Sequence, residues 1–277
     1  VQFHSGDGFY TAVDSTDWAT VYTESQRGRI RRNHALFRQM SITITPNRNN
    51  TLNWNDFIPN KVNPERPTLR MNWSTPFIIS HFNPRTLYYG ANFLFKSVDR
   101  GDHWKIISPD LSTNHPDKTL RESGGLTRDV TGAETHCTIV TLSESPIVPG
   151  LIWIGTDDGN IQLTRDDGET WTNVRQNVKG VPEEIWVSRV EASHFDKGIC
   201  YVTFDGHRSD HFRPYVFKTS DFGQTWQNIT SNLPDRYCIY VIREDFKNKK
   251  LLFVGTEFAV FVTINGGQSW MRLKLGL

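Results

Sequence analysis

Three cysteines, Cys137, Cys200 and Cys238, are too few for a disulfide framework, and none stands in a Cys-x-x-Cys pair of the kind that holds zinc or does redox work. One bridge and one free thiol is the most they allow. Long apolar runs are missing as well: the longest, such as residues 251–255, are strand-length. A membrane-spanning helix needs roughly 18 to 20 apolar residues, so no membrane span is expected. Nor does either charge dominate, since 31 Lys and Arg face 30 Asp and Glu. That balance speaks against a nucleic-acid groove or a polybasic membrane patch, both of which need a basic excess on one face. No signal peptide is visible and the chain opens on Val1, so a processed or trimmed N-terminus is the expectation. Sequons at Asn49, Asn72 and Asn228 carry meaning only in a glycosylating secretory host.

What the chain has instead is a repeat. Four segments share one octapeptide: Ser97-Val98-Asp99-Arg100-Gly101-Asp102-His103-Trp104, Thr164-Arg165-Asp166-Asp167-Gly168-Glu169-Thr170-Trp171, Thr219-Ser220-Asp221-Phe222-Gly223-Gln224-Thr225-Trp226 and Thr263-Ile264-Asn265-Gly266-Gly267-Gln268-Ser269-Trp270. The template is Ser/Thr-x-Asp-x-Gly-x-Thr-Trp, with His103 and Asn265 as departures. Each copy follows a short β-branched and aromatic run, for example Leu151-Ile152-Trp153-Ile154-Gly155-Thr156 or Leu251-Leu252-Phe253-Val254-Gly255-Thr256, which reads as strand and hairpin. A degenerate fifth copy near the start runs from Thr20-Val21-Tyr22-Thr23-Glu24 through Gly28 to Arg29, without the Asp-Gly-Trp signature.

The octapeptide explains itself as fold chemistry. Its Asp accepts backbone N–H groups further along the turn, and its Gly supplies the positive φ of a tight reversal. The Ser/Thr hydroxyls are expected to tie the two strands together, and the Trp to place a large ring between neighbouring sheets. Ser97, Asp99, Gly101 and Trp104, Thr164, Asp166, Gly168 and Trp171, Thr219, Asp221, Gly223 and Trp226, and Thr263, Asn265, Gly267 and Trp270 are therefore assigned structural roles. Successive tryptophans stand 67, 55 and 44 residues apart. A constant four-strand unit of about 40 to 45 residues with inserted loops accounts for that spread. Radial repetition of such units is an all-β propeller, here with about five blades, at 1–36, 68–110, 136–176, 185–230 and 237–275. Residues 37–67, with Ile42-Thr43-Ile44-Thr45 as a strand, and 111–135 are the long connections, both candidate partner-facing loops.

These residues resemble the Asp-box, or BNR repeat, of sialidases, xyloglucan-active glycoside hydrolases and the VPS10 domain of sortilin. The flanking text, Ile107-Ser108-Pro109-Asp110-Leu111-Ser112, Trp153-Ile154-Gly155-Thr156-Asp157-Asp158-Gly159, Tyr201-Val202-Thr203-Phe204-Asp205-Gly206-His207-Arg208 and Val254-Gly255-Thr256-Glu257-Phe258, is similar to the large sortilin-like BNR-repeat proteins labelled "glycosyl hydrolase" in bacterial genomes. The resemblance implies a propeller that is part of a longer chain, and export to the periplasm, the cell surface or the medium. Its partners would be the remainder of its own chain, other protein subunits or glycans. A chain that starts inside a strand-like stretch and stops at Leu275-Gly276-Leu277 fits that expectation.

Two functions compete: a binding or assembly module, and a polysaccharide-directed glycoside hydrolase. The second needs two carboxyl groups flanking the scissile bond, and Glu24, Glu144, Glu191, Asp205 and Glu257 are the candidates. Arg29, Trp186, Arg189, His207, Arg208 and Arg243 are candidate binding residues, and Trp18, Trp54 and Trp73 are further surfaces for a sugar ring. Asp205, His207 and His211 lack the spacing of a specific metal site, so neither a metal nor a cofactor is expected. A sialidase is not indicated, because Arg66-Pro67 is the nearest approach to that family's arginine signature.

Overall fold

The structure is a computed structural model that describes residues 6–61, 63, 66, 68–120 and 135–274. Pro67, most of the 111–135 connection and Leu275-Gly276-Leu277 lie outside the described residues. Among the described residues, twenty strands form five four-stranded antiparallel sheets, each a meander whose spatial order follows the sequence. Sheet 1 holds β1 (Gly8–Asp14), β2 (Asp17–Ser25), β3 (Arg29–His34) and β4 (Ile42–Thr43). Sheet 2 holds β5 (Phe77–Ile79), β6 (Leu87–Gly90), β7 (Leu94–Ser97) and β8 (Lys105–Ile106). Sheet 3 holds β9 (Ile139–Glu144), β10 (Ile152–Thr156), β11 (Ile161–Thr164) and β12 (Thr172–Asn173). Sheet 4 holds β13 (Trp186–Ala192), β14 (Cys200–Gly206), β15 (His211–Thr219) and β16 (Gln227–Asn228). Sheet 5 holds β17 (Ile239–Glu244), β18 (Leu252–Thr256), β19 (Val260–Thr263) and β20 (Met271–Arg272). Ile42 and Thr43, which the sequence places in a connection, form the fourth strand of sheet 1.

Two compact units contain these sheets, residues 1–140 and 141–277, with the division falling inside β9. Unit 1 packs around Tyr22, Ile30, Leu87, Tyr89, Phe95 and Trp104. Unit 2 has two cores, one around Trp153, Leu163, Val187, Val202, Phe204 and Phe217 and one around Tyr201, Ile239, Ile242, Val254 and Trp270. In sheets 2, 3 and 4 the second strand, β6, β10 or β14, is wholly buried, which suits near-continuous apolar runs such as Ile152-Trp153-Ile154. All three cysteines are buried and free, so the one bridge that the sequence allows does not form.

The octapeptide joins the third and fourth strands in sheets 2 to 5. Its Asp Oδ1 accepts the N–H four residues on: His103 to Asp99, Thr170 to Asp166 and Thr225 to Asp221, each at 2.9 Å. The leading hydroxyl works inside the turn rather than between strands. Thr164 Oγ1 donates to Asp166 Oδ1 at 2.8 Å and accepts the N–H groups of Asp166 and Gly168, and Ser97, Thr219 and Thr263 do the same in their copies. Both departures keep the ring closed. His103 Nδ1 contacts Asp99 Oδ2 at 2.7 Å where Thr225 uses its hydroxyl, while Asn265 Nδ2 donates to Ser269 Oγ at 2.9 Å. The reversal takes two left-handed residues, not one: φ is +64° at Arg100, +60° at Asp167, +61° at Phe222 and +73° at Gly266, followed by +81° to +94° at the template glycine.

The tryptophans that close the octapeptides differ in depth. Trp104 and Trp270 are buried, and their indole N–H groups donate to Ile44 O at 2.7 Å and Ile229 O at 2.9 Å, carbonyls that follow the last strand of the preceding sheet. Trp226 is half-buried and meets Trp153 of the preceding sheet edge-on at 6.1 Å, and Trp171 is also half-buried. A second turn repeats that the sequence reading did not find. Between the first and second strands, Asp14, Ser80, Ser145, Ser193 and Asp245 each accept the N–H two residues ahead.

Candidate binding site at one end of sheets 4 and 5

Strand register sorts the candidate residues of unit 2 onto two ends. In sheet 4, Cys200 pairs with Thr219 next to the octapeptide, and Gly206 pairs with His211 at the opposite end. Trp186, paired with Asp205, also lies at that opposite end. In sheet 5, Glu244 and Leu252 mark the octapeptide end, and Ile239 pairs with Thr256 at the other. Glu144 and Glu191 therefore stand toward the octapeptide end, and Asp205 and Glu257 at the opposite one. The sequence-derived carboxylates of unit 2 do not gather in one place.

At the opposite end a chain of contacts links sheet 4 to sheet 5. The Arg208 guanidinium lies 4.1 Å from the Trp186 ring centroid, a cation–π distance. Arg208 Nη1 also reaches Asp205 Oδ2 at 3.5 Å. Asp205, buried at the end of β14, accepts the His207 N–H at 3.0 Å and holds His207 Nδ1 at 2.6 Å. The His207 ring meets Tyr240 edge-on at 5.9 Å, and Tyr240 donates its hydroxyl to Glu257 Oε2 at 3.1 Å. Burial pushes the Tyr240 phenol up to about 12, with Asp205 and Glu257 adding to the shift. Tyr240 is thus a lasting donor. Beneath the network, burial raises the Cys238 thiol to about 11, and the thiol points to His211 O. Such a neutral, buried thiol is a packing group rather than a nucleophile. Trp186, His207 and Tyr240 are half-buried and Arg208 and Glu257 exposed, so the network faces solvent along its length.

A short left-handed hinge presents it. β14 ends in Gly206, residues His207–Ser209 form one 3-10 turn, and Asp210 with φ +54° turns the chain into β15. His211 stacks on Tyr215 at 5.6 Å and its Nε2 meets the Tyr215 hydroxyl at 2.8 Å, away from Asp205. Among the described residues no group of three or more His, Cys, Asp or Glu side chains is arranged to hold a metal ion.

The remaining candidates have other partners. Glu191 is bridged to Arg243 at 2.7 Å. Burial raises its carboxyl, with Arg243 and Arg189 pulling the other way. Arg189 sits half-buried in β13, two residues before Glu191. Glu144 is buried and accepts the Gly150 N–H at 3.3 Å. Glu244, which the sequence reading passed over, accepts from Ser193 Oγ, the His194 N–H and the Tyr201 hydroxyl. In unit 1, Arg29 is exposed at the start of β3. Glu24 is buried near the end of β2, where Oε1 accepts the Thr75 N–H at 3.2 Å and Oε2 has no partner. Burial there lifts its carboxyl to about 8, with the N–H groups around it opposing the shift. Of the tryptophans proposed as sugar surfaces, Trp18 is 66% exposed, while Trp73 is half-buried and carries Arg27 over its ring at 5.9 Å.

Five meander sheets of four strands define the class of protein: a β-propeller. Solved structures agree. A GH74 enzyme from Niastella koreensis aligns with 96% of this chain at 18% identity and TM-score 0.60, and the GH74 xyloglucanase of Xanthomonas campestris with 96% at 18% and 0.56. The extracellular domain of what is described as a hybrid two-component system from B. thetaiotaomicron aligns with 98% at 12% identity and TM-score 0.54, over 28% of its own length. The chain spans 38% of the length of each GH74 structure. At these identities the likeness speaks for fold, and fold alone does not choose a function. No protein-family profile matches the chain, and no curated protein does.

Proposed function

We propose that this chain is a β-propeller binding module, working outside the cytoplasm, that engages a glycan through the network from Trp186 to Glu257. The observation that carries this reading is the contact chain itself: an aromatic surface, a guanidinium, an imidazole and an exposed carboxylate held in fixed relation on two rigid sheets. Glycan recognition calls for flat apolar faces beside oriented polar groups, and rigid strands present them at little entropic cost. The octapeptides are Asp-box joints in this reading, and the propeller belongs with the BNR-repeat, sortilin-like group. Export is supported by an extracellular domain among its structural neighbours. Binding of the whole chain to a panel of plant and bacterial glycans, read by calorimetry, tests the proposal, and Trp186→Ala abolishes the signal if it is right.

The second reading is a glycoside hydrolase, for which Glu24 supplies one of two requirements: a carboxyl lifted to about 8 by burial favours its protonated form, while the same burial, at 1% exposure, holds it away from a substrate. Release of reducing ends from a polysaccharide, lost in Glu24→Gln, would replace the binding-only reading. Turnover that persists in Glu24→Gln would assign catalysis elsewhere.

A further inference from the structure

The ligand class follows from one proton, on the reading that the Trp186 to Glu257 network is the glycan site. A carboxylate only accepts hydrogen bonds. Asp205 places both oxygens against His207 Nδ1, at 2.8 and 2.6 Å, so in the uncharged ring Nδ1 carries the hydrogen and Nε2 presents a lone pair. Asp205 is buried, while the His207 side chain is 34% exposed. The acceptor character of Nε2 is therefore set from inside the protein. Glu257, exposed and engaged through Oε2 by Tyr240, whose ring meets His207, adds carboxylate acceptor capacity to the network. Arg208 is the donor at the other edge: its guanidinium lies over the Trp186 ring, and among the described residues a single long contact, to Asp205, draws on its five N–H groups.

We infer that the network selects neutral, hydroxyl-rich sugars and rejects acidic ones, with His207 as the specificity-determining residue and Asp205 as its positioning residue. A sugar diol both donates and accepts. Its hydroxyl hydrogens go to His207 Nε2 and Glu257, and its oxygens accept from Arg208. A uronate brings a carboxylate, which has no hydrogen to give and meets the Nε2 lone pair and the Glu257 charge unfavourably. Arg208 alone would attract it, yet Asp205 already shares that guanidinium. Local charge runs the same way, since the network sets two carboxylates, Asp205 and Glu257, beside one arginine, Arg208.

The test uses the whole chain with two probes, a xyloglucan oligosaccharide and an oligogalacturonate of similar length, titrated by calorimetry at pH 7.5. Neutral-sugar affinity at least tenfold above that for the uronate is expected. Asp205→Asn lets an amide donate to Nδ1 and turns Nε2 into a donor, so the preference narrows or reverses. Because Asp205 is buried, a second measurement stands apart from that variant: the 15N shifts of the His207 ring in the unmodified protein. They should show a protonated Nδ1 and an unprotonated Nε2. The opposite tautomer, a doubly protonated ring, or equal or tighter binding of the uronate would overturn the inference while leaving a glycan module in place. If neither probe binds, both the inference and the glycan reading fall.

Discussion

The two ends of unit 2 use the same polar residue types to different purposes. At the octapeptide end, Asp166 and Asp221 spend their oxygens on the hydroxyl and N–H of Thr170 and of Thr225, within a single turn. At the opposite end, Asp205 accepts the His207 N–H and in addition holds two side chains that reach solvent, and the contacts run on into another sheet. The first arrangement recurs in four sheets. The second occurs once among the described residues. A polar network that closes on itself makes a joint, whereas one that orients exposed groups makes a recognition surface. Repetition therefore marks the scaffold, and function is to be sought where the repeat is broken.

If that division holds, the largest loss of stability comes from the joints. Trp104→Ala removes a buried indole together with its bond to Ile44 O, and is expected to cost on the order of 3–5 kcal/mol. Chemical denaturation of the whole chain measures it. A loss below about 1 kcal/mol would mean that the tryptophan is not a joint, and would break the comparison at its firmer side.

Glu24 gives the next largest effect, and its sign is opposite. Its carboxyl titrates at about 8 in the fold against an ordinary value near 4.5, so the unfolded chain releases its proton first as the pH rises. Stability then falls between about pH 4.5 and pH 8 and levels off above, because burial penalises the charged form. Glu24→Gln removes the slope. The variant should exceed the parent by on the order of 2–4 kcal/mol at pH 8.5 and match it near pH 4.5. Thermal unfolding across that range reads the difference, and parallel curves would show that the carboxyl is solvated.

The octapeptide was legible in the sequence because all of its positions matter to one local hydrogen-bonded ring, so the pattern survives in eight consecutive letters. His103 and Asn265 show how far it stretches: each changes the chemistry of one bond and keeps the ring. The turn capped by Asp14, Ser80, Ser145, Ser193 and Asp245 escaped because it needs one side chain only, and Ser and Asp are common. Its one visible trace was Ser-His-Phe at both 80–82 and 193–195. Asp205, His207 and Arg208 were named from the density of ionisable letters at 204–211, Trp186 as an aromatic outside the octapeptide, and Glu257 as a carboxylate near a strand end. Their connection was not legible, because Tyr240, the residue joining His207 to Glu257, lies on another sheet and looks like any strand aromatic. Glu144 and Glu191 were grouped with Glu257 for standing near strand ends, yet a strand has two ends, and only register tells them apart.

A smaller effect separates joint from surface within one pair of variants. Asp221→Ala opens a turn ring, and the loss of its bonds to the Thr225 hydroxyl and N–H is expected to cost about 1 kcal/mol at neutral pH. Those bonds, the Thr225 hydroxyl first, hold the Asp221 carboxyl below its ordinary 3.8. Its contribution is therefore present above that pH and fades as the pH falls through the folded value. Arg208→Ala, in contrast, removes an exposed side chain from Trp186 and should alter stability by less than about 0.5 kcal/mol, while weakening glycan binding about tenfold or more. Measured side by side, the two variants should cross over: Asp221→Ala loses stability and keeps its ligand, and Arg208→Ala does the reverse. If both variants lose stability and affinity together, the two ends of the sheets are one cooperative structure, and the distinction between joint and recognition surface fails at the residues chosen to express it.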